Sequence, residues 1–380
     1  MKIIAFPKVL FDSRAVTHQE ELHSRQFELT LEIVLSRKKQ QSQISPPTPI
    51  MFDLDADDSL VPLQSRVLVA VSGGADSLAL LHWLLELKRE VVAGHVNHAL
   101  DELRQGDCAR DEEWLRLRCV ELKVPFRSET IELPRRSGHV NESVARAGRY
   151  EALKRLAQDN ECSILATAHT ASDALEGMIL NVGRGAGIRG AHGFAPSREL
   201  ESGLILVRPL WRVGRNEVRE WLQQRSGTWL EDASNQSQLF RRNRVRGEVV
   251  PLLSEIFKRE SDELARGFAF NAQLARDEDE WLEVQAQEAL ERLVRKREEG
   301  LVTLDGLAFC ALAVALQRRV LRLAAREIEP SAREVERVKI ETLRLACTQN
   351  ARREVWTWRK VLRVEWTGKG AGNRLRFWRV

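Results

Sequence analysis

The chain has 380 residues, of which 43% are hydrophobic and 30% charged. That composition excludes collagen-like, mucin-like and wholly disordered chains and leaves ample length to bury a core, with two to three domains expected. Lys and Arg number 59 against 55 Asp and Glu, so the net charge of +4 does not mark the whole chain as a polyanion binder. Its distribution is uneven. Residues 351–380 hold nine Lys/Arg and two Asp/Glu, a local +7 that leaves −3 for the rest, which points the tail towards a polyanionic partner.

The five cysteines, Cys108, Cys119, Cys162, Cys310 and Cys347, are odd in number and contain no CxxC pair, which argues against a disulfide framework or a structural zinc site. Residues 3–11 are apolar but broken by Pro7 and Lys8, too short for a signal-peptide core, and no apolar run approaches the ~20 residues of a membrane span. A soluble, cytoplasmic protein with no membrane partner is expected.

In chain order, residues 1–60 read as an extension and linker: a helix is compatible with 19–34, and 37–50 is polar and Pro-rich. From Arg66 the pattern alternates. Strands are expected at 66–71, 91–96, 163–168 and 204–207, and helices at 76–88, 107–122, 142–158, 173–181 and 215–224. Strands alternating with helices imply a parallel sheet, with ligands beyond the carboxyl ends of its strands. Residues 183–203 are Gly-rich and read as loop. Helical apolar spacing covers 261–297, and 301–346 reads as further helix. Residues 355–366 and 374–380 flank GKGAG and read as a β-hairpin or small sheet. The expected fold class is thus α/β. A parallel-sheet nucleotide-binding domain spans 61–240, a mainly helical domain 241–350, and a small basic β-containing region 351–380.

The strongest chemical signal is Ser72-Gly73-Gly74-Ala75-Asp76-Ser77, between the first strand and its helix. The glycines permit a sharp turn and close approach to a ligand. The amides and positive dipole of the helix start form an anion site. No Lys ends the loop, unlike a Walker A sequence, so the cation that grips a γ-phosphate is missing from the motif. Holding pyrophosphate as a leaving group, in nucleotidyl transfer, is the more natural chemistry.

SGGADS resembles the PP-loop of the N-type ATP pyrophosphatases. From about 66 to 255 the chain further resembles the tRNA(Ile)-lysidine synthetase family, through VSGGADS (71–77), HVNHAL (95–100), ARAGRY (145–150), AHTASDALEG (168–177), RGAGIRG (184–190), RPLW (208–211) and EDASN with RRNRVR (231–246). Several motifs in the right order are far more specific than the loop alone. The resemblance implies an ATP-dependent ligase that adenylates the wobble cytidine of a tRNA(Ile) with a CAU anticodon and joins L-lysine to it, releasing pyrophosphate and AMP. Other PP-loop tRNA enzymes, such as a thiolase, and a catalytically weak RNA-binding paralogue are the alternatives.

Residues 72–77 would then hold the pyrophosphate of ATP, with Asp76 also a candidate catalytic residue. Asn97 and His98, at the end of the second strand, are candidates for the adenine or ribose pocket. Arg146 and Arg149 share a helix face and, with Arg242, are candidates for phosphates or the adenylated base. Asp173 and Glu176, three apart on one face beside His169, are candidates to hold Mg²⁺ through water, to bind the ammonium of lysine, or to accept its proton. The family commonly has Asp where Asn97 stands. It also commonly has a second His, a pair of acids and a Thr where this chain has Thr170, Ser172–Asp173 and Gly177. In the tail, Trp356, Trp358, Trp366 and Trp378 lie among arginines. They suit either base stacking or the core of a small β-domain. A homodimer is left open.

Overall fold

The computed structural model describes residues 52–97, 107–132, 135–136, 139–140, 142–200, 203–231, 241–330, 337–349, 352–358, 361–368 and 372–380. The chain divides into two units, Met1–Asp53 and Leu54–Val380. All but the last two residues of the first unit fall outside the described residues, as do His98 and 232–240.

The second unit begins with a six-stranded sheet in the order β3-β2-β1-β6-β8-β7. Its strands are β1 (Arg66–Ala70), β2 (Glu90–Asn97), β3 (Phe126–Thr130), β6 (Ile164–Ala166), β8 (Ile205–Val207) and the edge strand β7 (Ser197–Glu199). All pair in parallel except β7, which runs antiparallel to β8. The short pair β4 (Arg135–Arg136) and β5 (His139–Val140) forms a separate ribbon. Strand β1 carries Val67, Leu68 and Val69 fully buried, and β2 is buried from Val91 to Asn97, as expected of strands covered on both faces. On one face, helix α3 (Glu142–Asp159) contributes Ala152, Leu153, Leu156 and Ala157 to a core with Leu68, Val92 and Leu165. On the other lies α1 (Ala75–Glu86), packed against α6 (Arg215–Gln224). A further helix, α2 (Asp107–Glu121), packs against β2 and β3.

From β1 the chain builds outward to β2 and β3, then returns to place β6 on the other side of β1. The order therefore reverses between β1 and β6, and a crevice opens beyond their carboxyl ends. Residues 72–77 follow β1 there, and residues 167–173 follow β6.

After α4 (Ala171–Gly183) and the short α5 (Gly187–Ala191), the segment 183–203 is more structured than a loop: it holds α5 and β7. Beyond α6 come α7 (Arg241–Arg244), a π turn (Val245–Val249) and α8 (Val250–Phe257). Helix α9 (Ser261–Leu293), of 33 residues, is about 50 Å long. Its first half packs Leu264, Ala265 and Ala269 against Ala171, Ala174 and Leu175 of α4. Its last half gives Ala286, Ala289, Leu290 and Leu293 to a second core.

That second core lies under a five-stranded antiparallel sheet, β11-β12-β13-β10-β9. Its members are β9 (Val294–Glu298), β10 (Leu301–Asp305), β11 (Glu354–Trp358), β12 (Leu362–Trp366) and β13 (Arg374–Arg379). The helix expected at 294–297 and 301–305 is absent. The chain instead turns at Gly300, φ +71°, and β10 is buried from Val302 to Leu304. Trp358, Trp366 and Phe377 fill the core with α11 (Val314–Ile328) and α12 (Arg337–Thr348), while α10 (Gly306–Ala311) adds Phe309. The aromatic tail is therefore largely core: Trp358 and Trp366 are buried, and Trp356 packs partly against the same cluster. No helix among the described residues is long and apolar enough to cross a membrane.

Candidate active site at the β1–β6 crevice

The turn after β1 closes on itself. Gly73 has φ +86°, a backbone conformation that calls for glycine, and a Cβ there would lie 2.9 Å from Leu230 Cδ1, which would have to shift. The Leu230 amide donates to Gly73 O at 2.9 Å, which ties the 229–231 segment to the turn. Ser77 Oγ donates to Gly74 O (2.9 Å) and accepts from the Ser72 amide (3.2 Å). The Ser77 hydroxyl thus serves mainly to brace the loop.

A cavity of about 1030 Å³ opens above it, lined by the turn, by Asn97 and His169, and by six arginines: Arg146, Arg149, Arg215, Arg219, Arg242 and Arg246. Four carboxylates, Asp76, Asp111, Asp173 and Glu231, also face it, so the lining is net positive and suited to a polyphosphate.

Asp173 and Glu176 lie deepest, one turn apart on α4. Thr170 caps this helix, its amide and hydroxyl donating to Asp173 Oδ2 at 2.8 and 3.0 Å. Asp173 Oδ1 accepts from Arg215 Nη2 (2.9 Å) and Arg242 Nη2 (2.8 Å). The Glu176 side chain, 1% exposed, accepts from Arg215 Nη1 (2.9 Å), Arg242 Nε (2.6 Å) and Arg246 Nε (2.8 Å). Arg242 lies on α7 and Arg246 in the π turn that follows it, and both reach Glu176. Two carboxylates thus hold three guanidiniums. Burial works against ionisation of Asp173, but Arg215 and Arg242 outweigh it and hold its carboxyl at about 2. Glu176 is lowered in the same way, against burial, by Arg246, Arg215 and Arg242. Burial keeps the His169 imidazole neutral, at about 3, despite Asp173 nearby.

Asp76 differs. Burial raises its carboxyl, opposed by Arg215, whose Nε lies 3.5 Å from Oδ2. Its Oδ1 is buried with no hydrogen-bond partner. The residues fit a magnesium ion here: Asp76 lines the cavity, and its Oδ1 is a carboxylate oxygen with no hydrogen-bond partner. The four oxygens of Asp173 and Glu176 are already engaged by arginines and by the Thr170 cap, and would have to release these to ligate a metal directly. Among the described residues no group of three or more His, Cys, Asp or Glu is placed to hold a metal.

The crevice brings together residues 72–77, Asn97, Arg146, Arg149, Asp173 and Arg242, with Glu176 behind them. Asn97 donates to Glu112 Oε2 (3.0 Å), and Ser128 donates to the other oxygen of the same carboxylate. Arg146 lies over the Tyr150 ring at 5.5 Å. His98 lies outside the described residues. The residue that sequence reasoning missed is Arg215, 14% exposed and in contact with Asp76, Asp173 and Glu176. Its position directly after the β8 connection, at the carboxyl edge of the sheet, was the available signal. Two departures from the family pattern have structural roles: Thr170 caps α4, and Ser172 Oγ accepts from the Arg215 amide at 3.2 Å. A Cβ at Gly177 would meet nothing within 4 Å.

Residues 54–253 match the PP-loop domain family, which supports ATP binding. A tRNA(Ile)-lysidine synthase of Synechococcus sp. is 33% identical over 297 residues, covering 76% of this chain and 85% of that protein. Those of Actinobacillus pleuropneumoniae serotype 3 and Symbiobacterium thermophilum are 32% and 34% identical, over 69% and 70% of this chain. The chain spans 59% and 56% of the length of these two. With a PP-loop at the sheet's switch point and this similarity along three quarters of its length, the chain belongs to the tRNA(Ile)-lysidine synthase family of PP-loop proteins, enzymes of the ligase type.

Proposed function

We propose that this protein is a tRNA(Ile)-lysidine synthetase that uses ATP to adenylate the wobble cytidine of a CAU anticodon and joins L-lysine to the activated base. The observation that carries the reading is the convergence of the 72–77 turn, the unpartnered Asp76 Oδ1 and the arginine cluster in one cavity.

In this scheme the amides at the start of α1 hold the pyrophosphate end of ATP, where the helix dipole favours negative charge. The 2-carbonyl oxygen of cytosine attacks the α-phosphate and pyrophosphate leaves. The ε-amine of lysine then attacks the ring carbon that bears this oxygen and AMP leaves. Arg146 and Arg149, on the α3 wall, face the charge that develops in both steps. Asp173 and Glu176 hold Arg215 and Arg242 at fixed positions towards the phosphates, and lysine would reach the carboxylates only by displacing a guanidinium. Magnesium, held at Asp76, would supply charge neutralisation on the phosphates. No covalent protein nucleophile is required, since the chemistry is positioning and charge stabilisation. The exposed arginines of the C-terminal sheet, such as Arg363 and Arg374, would contact the tRNA body.

The test is incubation with transcribed tRNA(Ile), ATP and labelled L-lysine. Label in the tRNA with equimolar AMP supports the reading. Sulfur incorporation from a sulfur donor would replace it with a thiolase, and tight tRNA binding without AMP would replace it with a catalytically weak RNA-binding protein.

A further inference from the structure

A second cavity, of about 700 Å³, adjoins the first through Arg146 and Tyr150, which line both. Its floor is the 192–195 backbone, and the way this segment is held is unusual. Arg276, in the middle of α9 and 7% exposed, donates from Nη2 to both His192 O and Phe194 O at 2.5 Å. Arg208, 4% exposed, donates to Ala195 O and lies over the Phe194 ring at 5.2 Å. Two buried guanidiniums therefore satisfy three carbonyls of a four-residue stretch. Burying a cation on neutral acceptors is costly, since each carbonyl returns far less than a carboxylate would.

One turn further along α9, Asp279, also 7% exposed, accepts from Arg319 Nη2 of α11, and its Oδ2 lies 3.5 Å from His192 Nε2. Arg319 also reaches Glu283 at 3.0 Å. The same stretch of α9 thus grips the 192–194 segment on one side and the C-terminal core on the other. What it fixes is the Phe194 ring, whose centroid is 5.2 Å from that of His169. His169 in turn is hydrogen-bonded through Nδ1 to Thr167 Oγ1 (3.0 Å) and lines the nucleotide cavity.

We propose that Arg276, braced by the Asp279–Arg319 ion pair, is a positioning residue that holds the 192–194 backbone so that Phe194 keeps His169 and the wall between the two cavities in reacting geometry. The effect on turnover rests on the proposed function. The clamp on the backbone does not.

The experiment pairs two readouts on the full chain carrying Arg276→Ala, Arg276→Lys or Asp279→Asn. The first is amide hydrogen exchange without substrates. Arg276→Ala is expected to speed exchange at 192–196 by about tenfold or more while amides of residues 72–77 stay unchanged. The second is steady-state kinetics of AMP formation with tRNA(Ile) and lysine. Here kcat falls on the order of 10- to 100-fold, as for a misplacement of about 1 Å, with the KM for ATP unchanged. Arg276→Lys keeps a cationic donor and retains more activity than Ala. Unchanged exchange at 192–196 overturns the clamp. So does a loss of protection spread evenly over the chain, while a kcat within twofold of the unaltered protein overturns the positioning role. If the unaltered chain itself forms no AMP, the functional reading fails, and the exchange data alone decide the clamp.

Discussion

Arginines meet carboxylates at both ends of the second unit, and the two settings differ. In the crevice, Arg215, Arg242 and Arg246 converge on Asp173 and Glu176, with Glu176 1% exposed. On the C-terminal sheet, Arg353 and Arg376 flank Glu365, whose carboxylate is also buried, but their own side chains are 72% and 43% exposed. Water reaches both guanidiniums of the second arrangement, whereas in the first Arg242 and Arg246 are about one third open and Arg215, Asp173 and Glu176 are shielded. Surface pairs of this kind contribute about 0–1 kcal/mol, whereas a buried set costs desolvation and becomes strongly unfavourable once a partner is removed. The crevice therefore carries a rigid, high-stakes array of charge, and the sheet carries cations that can exchange a carboxylate for a phosphate.

The largest effect separating the two regions is kinetic. Asp76→Asn keeps the size of the side chain but removes the unpartnered anionic oxygen. AMP formation should fall on the order of 10²- to 10³-fold with tRNA affinity nearly intact, as read by product analysis and filter binding. Unchanged turnover would detach the 72–77 turn from the chemistry.

Next is stability. Glu176→Gln leaves three guanidiniums with one fewer negative charge in a buried site and should cost about 3 kcal/mol in urea unfolding. Arg353→Ala on the sheet should cost less than about 1 kcal/mol. Equal costs would erase the contrast.

The pH dependence follows from Asp173. Its folded value of about 2 lies below the unfolded carboxylate value of about 3.9. The stabilisation is therefore complete above the unfolded value and disappears as pH falls through about 2. Asp173→Asn should flatten the fall in stability between about pH 4 and pH 2. A variant with the same acid slope as the parent would contradict the ion-pair assignment.

The smallest effect concerns the tail. Removing residues 350–380 would strip Trp358, Trp366 and Phe377 from the second core, so truncation would unfold this region as well as remove charge. Arg363→Ala with Arg374→Ala, both on the exposed surface, should lower the slope of log affinity for tRNA against log salt by roughly one for each phosphate no longer neutralised. An unaltered slope would make the sheet a structural element alone.

Legibility in the sequence tracks the same physics. The parallel sheet is readable because RVLVAV and VVAGHV are buried on both faces and stand out as continuous apolar runs. The turn at 72–77 is readable because glycines and a helix start mark an anion site. Strand β3 is harder: FRSET is an edge strand with mixed burial and holds no apolar run. Strands β9 and β10 are hidden because the charged stretch VRKRE continues the polar face of a long helix, and the sheet that claims it is completed by residues some sixty to eighty positions later. In the site, the pairing of Asp173 with Glu176 is visible as helical spacing. Their saturation by Arg215, Arg242 and Arg246 is not, since it depends on bringing α4, α6, α7 and the π turn to one crevice. Arg215 is one of 59 Lys and Arg, and only its place after β8, not any spacing, marks it. Thr170 and Ser172 look like losses from the family pattern, yet each holds part of the array.

The most direct test of the central claim is the fate of the nucleotide. With tRNA(Ile), lysine and ATP labelled separately in its α- and γ-phosphates, a turn that grips the two outer phosphates predicts AMP and intact pyrophosphate in equal amounts. ADP with inorganic phosphate, formed at the rate of tRNA modification, would contradict it.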